Sequence, residues 1–313
     1  MNYKILKLEF TTAVHFGGGG LEKGQNVLNA DTLFSVLFIE ALKYGESDRL
    51  LDICKSGKLK ISNAFPYIGK EYYLPKPIIR LDNDNDGDSI RKKALKKLRY
   101  IPLSKFESFI NGKLNIEEES DSFGKKFGEF TLLEKVSMLT SGENDVNNLY
   151  AVEVFKYKKG SGLYLFIGFE DEKDFEMVKR LMNSISYTGI GGKISSGYGK
   201  YVLCEDTPNS NIVKKFEDIG DYKDIMSLSL CLPNEDELKK SLEDASYTVV
   251  KRSGFIASSK YADTYRKKKD LYMLEVGSVY KNIFEGDIYD VSGKNKGTHP
   301  VYRYGKPFFM GVR

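Results

Sequence analysis

The sequence predicts an α+β protein in two parts. Strand and helix patterns follow a β-α-β-β-α-β order over residues 1–210, and a second set of strand signals begins near residue 222. A run holding five glycines stands where the second helix of the first set gives way to its last strand. That order is the one found in a ferredoxin-like, RRM-like domain. A chain of 313 residues is long enough to bury a core in each part.

Residues 3–10 alternate polar and apolar side chains, the period of a strand with one buried face. In residues 31–44, Leu33, Phe34, Leu37, Phe38, Ala41 and Leu42 recur along one helical stripe. Residues 59–68 and 72–79 read as a hairpin, whose second arm is sent to a sheet edge by Pro75 and Pro77. Residues 149–157 and 162–169 read as a second hairpin around Lys158-Lys-Gly-Ser-Gly162. Residues 172–186 give the second helix, and Tyr201–Cys204 the strand beyond the glycine run. Pro, Asn, Ser and charges collect at 206–221, which reads as the join. Past it, 225–232 is a strand, 234–243 a helix, and 246–257 and 270–280 strand pairs, with no second helix visible.

The first part carries an insertion near residues 80–148. Residues 91–99, Arg-Lys-Lys-Ala-Leu-Lys-Lys-Leu-Arg, are densely basic, and 117–121 are acidic. This is the composition of a projecting element or of a plain surface loop. Asp82, Asp84, Asp86 and Asp88 match the opening of an EF-hand loop. The twelfth position is Lys93 where that loop needs a bidentate Glu, and the eighth is Ser89, so no metal site is expected.

Composition bounds the function. A net charge of +4 and a pI near 8.6 fit local basic tracks rather than a uniformly basic coat. Cys54, Cys204 and Cys231 are odd in number and lack zinc spacing, which points to a reducing compartment. The N-terminus reads as an alternating strand rather than a signal peptide, and no apolar run is long enough to cross a membrane. A cytoplasmic protein is expected.

The glycine run, Tyr187 to Tyr201, is the main functional candidate. Gly189, Gly191, Gly192, Gly197 and Gly199 allow sharp turns and close approach to a ligand. Exposed amides in such a loop form anion-binding nests; Lys193 and Lys200 add charge, Ser195 and Ser196 add hydroxyls, and Tyr198 offers a stacking face. The alternative is a glycine connection that merely fits a tight space. The run is not a Walker A loop, because Ile194 follows Lys193 and the glycine spacing fails. It is not a dinucleotide fingerprint either, since it joins a helix to a strand.

Two further segments stand with it. His15-Phe-Gly17, followed by Gly18 and more glycines, leads to Asn29-Ala-Asp-Thr-Leu-Phe-Ser35, and the chain closes on His299-Pro-Val-Tyr-Arg-Tyr-Gly-Lys-Pro-Phe-Phe-Met-Gly-Val312. With the glycine run between helix and strand, these resemble the RAMP superfamily of CRISPR proteins. In this order they resemble the subunit of the type III-A (Csm) effector complex that holds the 5′ handle of the CRISPR RNA (crRNA). The resemblance spans the chain. It implies a second ferredoxin-like domain over 222–313 and a thumb-like hairpin in the insertion, around 120–148. It also implies two protein partners, the large polymerase-like subunit and a backbone RAMP subunit, and no cofactor.

Within that frame the RNA-binding residues are His15, Gly17 and Gly18; the loop from Gly189 to Lys200; and Tyr302, Arg303, Tyr304 and Lys306, which alternate stacking faces with charge. Lys251 and Arg252 extend the track. The expected role is a non-catalytic scaffold. The rival is a metal-independent endoribonuclease using His15 as general acid or base, which the imidazole's ordinary pKa permits. The resemblance also raises Asp31, because backbone subunits of type III complexes cut target RNA with an aspartate and a metal ion, but Asp31 is well placed to cap the helix that begins at Thr32.

Overall fold

A computed structural model describes residues 1–80, 89–137, 148–257, 266–293 and 297–313. The Asp82–Asp88 motif lies outside them. The protein is α+β, and its sheets are antiparallel. The chain opens with β1 (Asn2–Phe10), the small hairpin β2 (Phe16–Gly20) and β3 (Lys23–Gln25), and helices α1 (Ala30–Tyr44) and α2 (Ser47–Lys55). Then come β4 (Leu59–Ile61), β5 (Phe65–Ile68), β6 (Glu71–Pro75), α3 (Ser89–Lys97), β7 (Tyr100–Pro102), α4 (Phe106–Ile110) and α5 (Ile116–Phe127). A long hairpin, β8 (Gly128–Ser137) with β9 (Asn148–Tyr157), precedes β10 (Ser161–Phe169), α6 (Glu172–Thr188) and β11 (Tyr201–Asp206).

The main sheet runs β11-β1-β10-β5-β6-β7, with β4 also on β10. It is covered on both faces, which is why β10 is buried throughout and apolar from Gly162 to Phe169. Leu6, Leu8, Leu163 and Leu165 meet the stripes of α1 and α6, while Ile5, Tyr164 and Phe166 face the opposite core. Helix α1 ends at Gly45, which takes a left-handed φ of 70° and closes the helix on the Ala41 and Leu42 carbonyls.

Two expectations are corrected. The expected hairpin of 149–157 with 162–169 does not form: β9 pairs with β8 over ten registered residues, and β10 pairs with β1, β4 and β5. The chain does reverse at Lys158–Gly160, but β9 leaves the main sheet to build the projecting hairpin. Nor is the arm with Pro75 an edge, because β6 pairs with β5 and with β7.

Helix α7 (Ser210–Glu217) occupies the stretch read as a join, capped by the Asn209 side chain, which accepts from the Ile212 amide. Beyond it lie β12 (Ile225–Ser227), the short α8 (Leu238–Ser241), β13 (Val249–Arg252), β14 (Leu271–Leu274), β15 (Val279–Tyr280), β16 (Ile288–Asp290), β17 (Tyr302–Tyr304) and β18 (Phe309–Gly311). They make a three-stranded sheet, β15-β12-β18, and two strand pairs, β13-β14 and β16-β17. The predicted 225–232 strand is thus reduced to three residues, and the predicted helix to four.

This C-terminal part is locked onto α1. Tyr304 is fully buried in the core of the first part, its ring centroid 5.5 Å from that of Phe34, and its hydroxyl accepts from the Ile61 amide at 3.2 Å. Tyr302 meets Phe38 edge-on at 5.4 Å. Asn63 is a second rivet: its Oδ1 accepts from Ala30 at 2.8 Å and from Leu230 at 3.2 Å. Tyr304→Ala should cost about 3–5 kcal/mol of unfolding free energy, and Tyr304→Phe, which keeps the ring and leaves the Ile61 amide without its acceptor, about 1–3 kcal/mol. Urea unfolding of the two variants beside the wild type measures both, and equal costs would show that packing contributes nothing at this joint.

Candidate nucleic-acid interface

The glycine loop is held from within by the segment that follows β1. Gly192 donates to the His15 carbonyl at 2.8 Å, Gly199 to Ala13 at 2.9 Å, and Ile190 to Gly199 at 3.0 Å. Lys200 donates to the Thr12 hydroxyl at 3.0 Å, and its carbonyl accepts from the Thr11 amide at 2.9 Å. Glycine is required on this inner rim. A Cβ on Gly199 would overlap the Ile190 carbonyl, and one on Gly192 would lie 2.8 Å from His15 Cδ2. Gly189, Gly191, Gly197 and Gly199 all have positive φ.

The outer rim is different. Lys193 is held at φ 59°, one of two non-glycine residues with positive φ among those described. The amides of Lys193, Ile194, Ser195 and Tyr198 have no acceptor among the described residues. Ile194, Ser195, Ser196 and Lys200 are exposed, and Lys193 and Tyr198 half-buried. The loop touches the β8–β9 hairpin through two cation–π pairs: Lys193 Nζ lies 4.8 Å from the Tyr150 ring centroid, and Lys135 Nζ 4.8 Å from that of Tyr198. Lys135 and Tyr150 stand opposite each other in the ladder and so share one face of the hairpin. Sequence reading missed both, because their role depends on β9 leaving the sheet.

His15 is buried at 4% exposure. Its Nδ1 lies 2.7 Å from the Glu153 carbonyl, which only accepts, so that nitrogen carries the proton. Glu153 also accepts from the Gly24 amide at 2.7 Å, tying β3 to β9. Gly17 and Gly18, in the strand that follows, are exposed.

The C-terminal cluster lies elsewhere and faces inward. Asp31 is buried in the first turn of α1. It is not the cap: Asn29 holds that position, without a side-chain bond. Its Oδ1 and Oδ2 each accept from Arg252 at 2.9 Å, and Oδ2 accepts from Arg303 at 2.5 Å. Burial alone would raise the Asp31 carboxyl, but the Arg252 and Arg303 guanidiniums together hold it below its ordinary value. Arg303 also donates to the Ser253 carbonyl at 3.3 Å, and its Nε is buried without a partner among the described residues. Arg303, Tyr304 and Lys306 were expected at an RNA surface. All three are interior, at 5%, 0% and 5% exposure. The alternation that suggested one wet face is real, but both faces of β17 are covered. Tyr302 is half-buried, and Lys251 is exposed and paired with Asp270 at 2.7 Å.

Comparison with known proteins accords with this architecture. Residues 220–312 match the family model of the CRISPR Csm4 C-terminal domain. The chain is 34% identical over 312 residues to the CRISPR system Cms protein Csm4 of Mycobacterium tuberculosis, covering 100% of this chain and 98% of that one. It is 32% identical over 319 residues to the protein of the same name from Streptococcus thermophilus, covering 99% of each. Its fold matches a chain in the crystal structure of a Csm3–Csm4 subcomplex of the type III-A CRISPR-Cas interference complex, with a TM-score of 0.68 at 21% identity over 100% of both chains. It also matches a chain of a Csm1–Csm4 cassette crystallised with cA4, with a TM-score of 0.62 at 20% identity over 100% of this chain and 98% of that one. These likenesses put the chain among the protein subunits of type III-A CRISPR systems. It belongs to the Csm4 family.

The depressed Asp31 carboxyl has a pH consequence. A group whose folded pKa is lowered contributes its stability above the unfolded value, near 3.9, and loses it as pH falls through the folded one. Asp31→Ala should lose about 3–5 kcal/mol at neutral pH, because the buried Arg303 and the half-buried Arg252 guanidiniums are left without their carboxylate. The gap to wild type should narrow below about pH 4 as the wild-type carboxylate protonates. Urea midpoints across an acid pH series test this, and a gap constant with pH would remove Asp31 from the account.

Proposed function

We propose that this chain holds the 5′ handle of a crRNA within a type III-A effector complex and does not cut it. The observation that carries this reading is the division of the glycine loop. Its inner amides are consumed by segment 11–16, while its outer rim keeps four amides, the exposed hydroxyls of Ser195 and Ser196, and Lys193, Tyr198 and Lys200 beside Lys135. Amides and ammonium groups bind phosphate, and a tyrosine face accepts an unstacked base. A left-handed lysine is strain of the kind that collects at ligand sites. Gly17 and Gly18, exposed in strand β2, extend this surface.

The strand order β11-β1-β10-β5, with α1 and α6 on one face, supports a ferredoxin-like reading of the first domain, residues 1–210. Residues 222–313 form the second domain in this reading, and β8–β9 is the thumb. The solved relatives occur with Csm3 and with Csm1, which we take as the partners of this chain: the backbone and large subunits respectively.

Arg303, Tyr304 and Lys306 drop out of the contact set on burial, and Arg252 is engaged by Asp31. The endoribonuclease reading fares worse than the scaffold. His15 is enclosed between Gly192 and Glu153, with one ring nitrogen fixed on a carbonyl, and has little freedom to shuttle a proton.

Replacing Lys193 and Tyr198 together by Ala should weaken handle binding about tenfold to a hundredfold, from one phosphate contact and one stacked base. The slope of log affinity against log salt should shrink by about 0.7. Unchanged binding over a salt series, by a double variant of wild-type melting temperature, would remove the loop from the interface. The purified chain should leave repeat RNA intact on a denaturing gel, and a product that disappears in His15→Ala would establish the endonuclease instead.

A further inference from the structure

The β8–β9 hairpin has a second face, and it borders a cleft that the sequence motifs do not mark. Phe130 and Phe155 are opposite one another in the ladder and point away from the face that carries Lys135 and Tyr150. On the Phe130 side lies a cleft of about 720 Å³. Its walls are the C-terminal end of α3 with the residues after it, the Phe130 face of the hairpin, and strand β13 with Glu275 and Val276. Its floor includes Asn26, Asn29 and Asn63. The cleft thus stands between the inserted region and the C-terminal part.

Its charge is unbalanced. Among the described residues the lining cations are Lys76, Lys96, Lys97, Arg99 and Arg252, and the one lining acid is Glu275. Lys97 is paired with Asp121 and Arg252 with Asp31. Lys96, Arg99 and Lys76 have no carboxylate partner among the described residues; Lys76 Nζ donates to the Leu95 carbonyl. Lys96 and Arg99 are exposed, free to meet a ligand. Burial lowers the Lys76 ammonium from its ordinary value, as expected of a half-enclosed cation with no counter-charge.

The cleft also has features that fit bases. Phe130 is 45% exposed, a large share for a phenylalanine that already touches Phe155. Asn29 Oδ1 accepts from Asn63, which leaves the Asn29 amide group to donate, and the Asn26 side chain has no partner among the described residues. Cations along one wall, an open aromatic face and side-chain amides on the floor are the parts of a single-strand site. An acidic peptide would use the cations but has no need of the aromatic face.

We propose that this cleft is a second track for single-stranded RNA, with phosphates on Lys96 and Arg99 and a base on Phe130. It rests on the reading of the chain as an RNA-binding subunit, and it assigns the basic inserted helix a ligand. The two tracks lie on opposite faces of one hairpin, so a single strand can cross from the glycine loop to the cleft over the hairpin.

The test uses the full chain and a labelled oligouridylate over a salt series. Lys96→Ala with Arg99→Ala should reduce the log–log slope by about 1.4, two single-strand phosphates, with an unchanged melting temperature. Phe130→Ala should weaken oligouridylate about tenfold but leave an abasic strand of equal length unaffected. If the Lys193/Tyr198 variant loses slope while Lys96/Arg99 does not, the cleft carries no RNA and the handle reading survives alone. If neither variant changes anything, both readings fall. Displacement of the RNA by oligoglutamate more readily than by unlabelled oligouridylate of equal charge would assign the cleft to an acidic protein segment and overturn the proposal.

Discussion

The buried ion cluster of Asp31 with Arg252 and Arg303 is the constraint on which the arrangement of this molecule depends. It joins the first turn of α1 to β13 and β17, elements separated by more than two hundred residues of chain. A buried ion pair is poor evidence for net stability, since desolvation offsets most of the attraction. Its geometric demand is strict, however. Two guanidiniums share one carboxylate, and a displacement of β17 along α1 would strand at least one of them. Apolar contacts alone, Tyr304 on Phe34 and Tyr302 on Phe38, would tolerate sliding. The cluster therefore fixes how the C-terminal part sits on the main sheet, and with that the width of the cleft beside Arg252.

The glycine loop shows how a structural and a functional reading can hold for the same residues. On the inner side, Gly189, Gly192 and Gly199 exist because a Cβ would strike Tyr198, His15 or Ile190. That is packing, and it would be required without any ligand. By holding the inner side so tightly, the fold leaves the amides of Lys193 to Ser195 without an acceptor among the described residues. Rigid presentation lowers the ordering cost of binding a flexible strand. The packing role of the glycines is thus the condition for the proposed phosphate role of their neighbours.

Local periodicity was the most legible part of the sequence. The strand at 3–10, the helix at 31–44 and the helix at 172–186 emerge within two residues of their observed ends, because apolar spacing within one element is a local property. The strand read with one buried face in fact buries Ile5 on one side and Leu6 and Leu8 on the other. Pairing was less legible. Residues 149–157 and 162–169 are strands, yet nothing local distinguishes a hairpin from two strands that turn into different sheets. The C-terminal segment was misread for a related reason. Tyr302, Arg303 and Tyr304 have the composition of an RNA surface, and only the partners across the joint reveal that Arg303 is committed to Asp31. Asp31 itself looks like a helix cap, and its true partners lie too far away for any spacing rule to find.

Burial and pairing separate the cations that can meet a ligand from those that cannot. A net charge of +4 says little about where a polyanion would bind, because 48 basic residues face 44 acidic ones. Geometry sorts them. Arg303 and Lys306 are interior, Arg252 is engaged by Asp31 and Lys251 by Asp270. Lys193 and Lys135 rest on aromatic faces, an arrangement that keeps their charge available, since a ring neutralises nothing. Lys96 and Arg99 stand without acids among the described residues. Cations without a carboxylate partner among the described residues thus stand on both sides of the β8–β9 hairpin, while the aromatic and arginine sequence at the C-terminus is used to hold the molecule together. Where a near-neutral protein meets a polyanion, the residues to examine are the cations its own carboxylates have left alone.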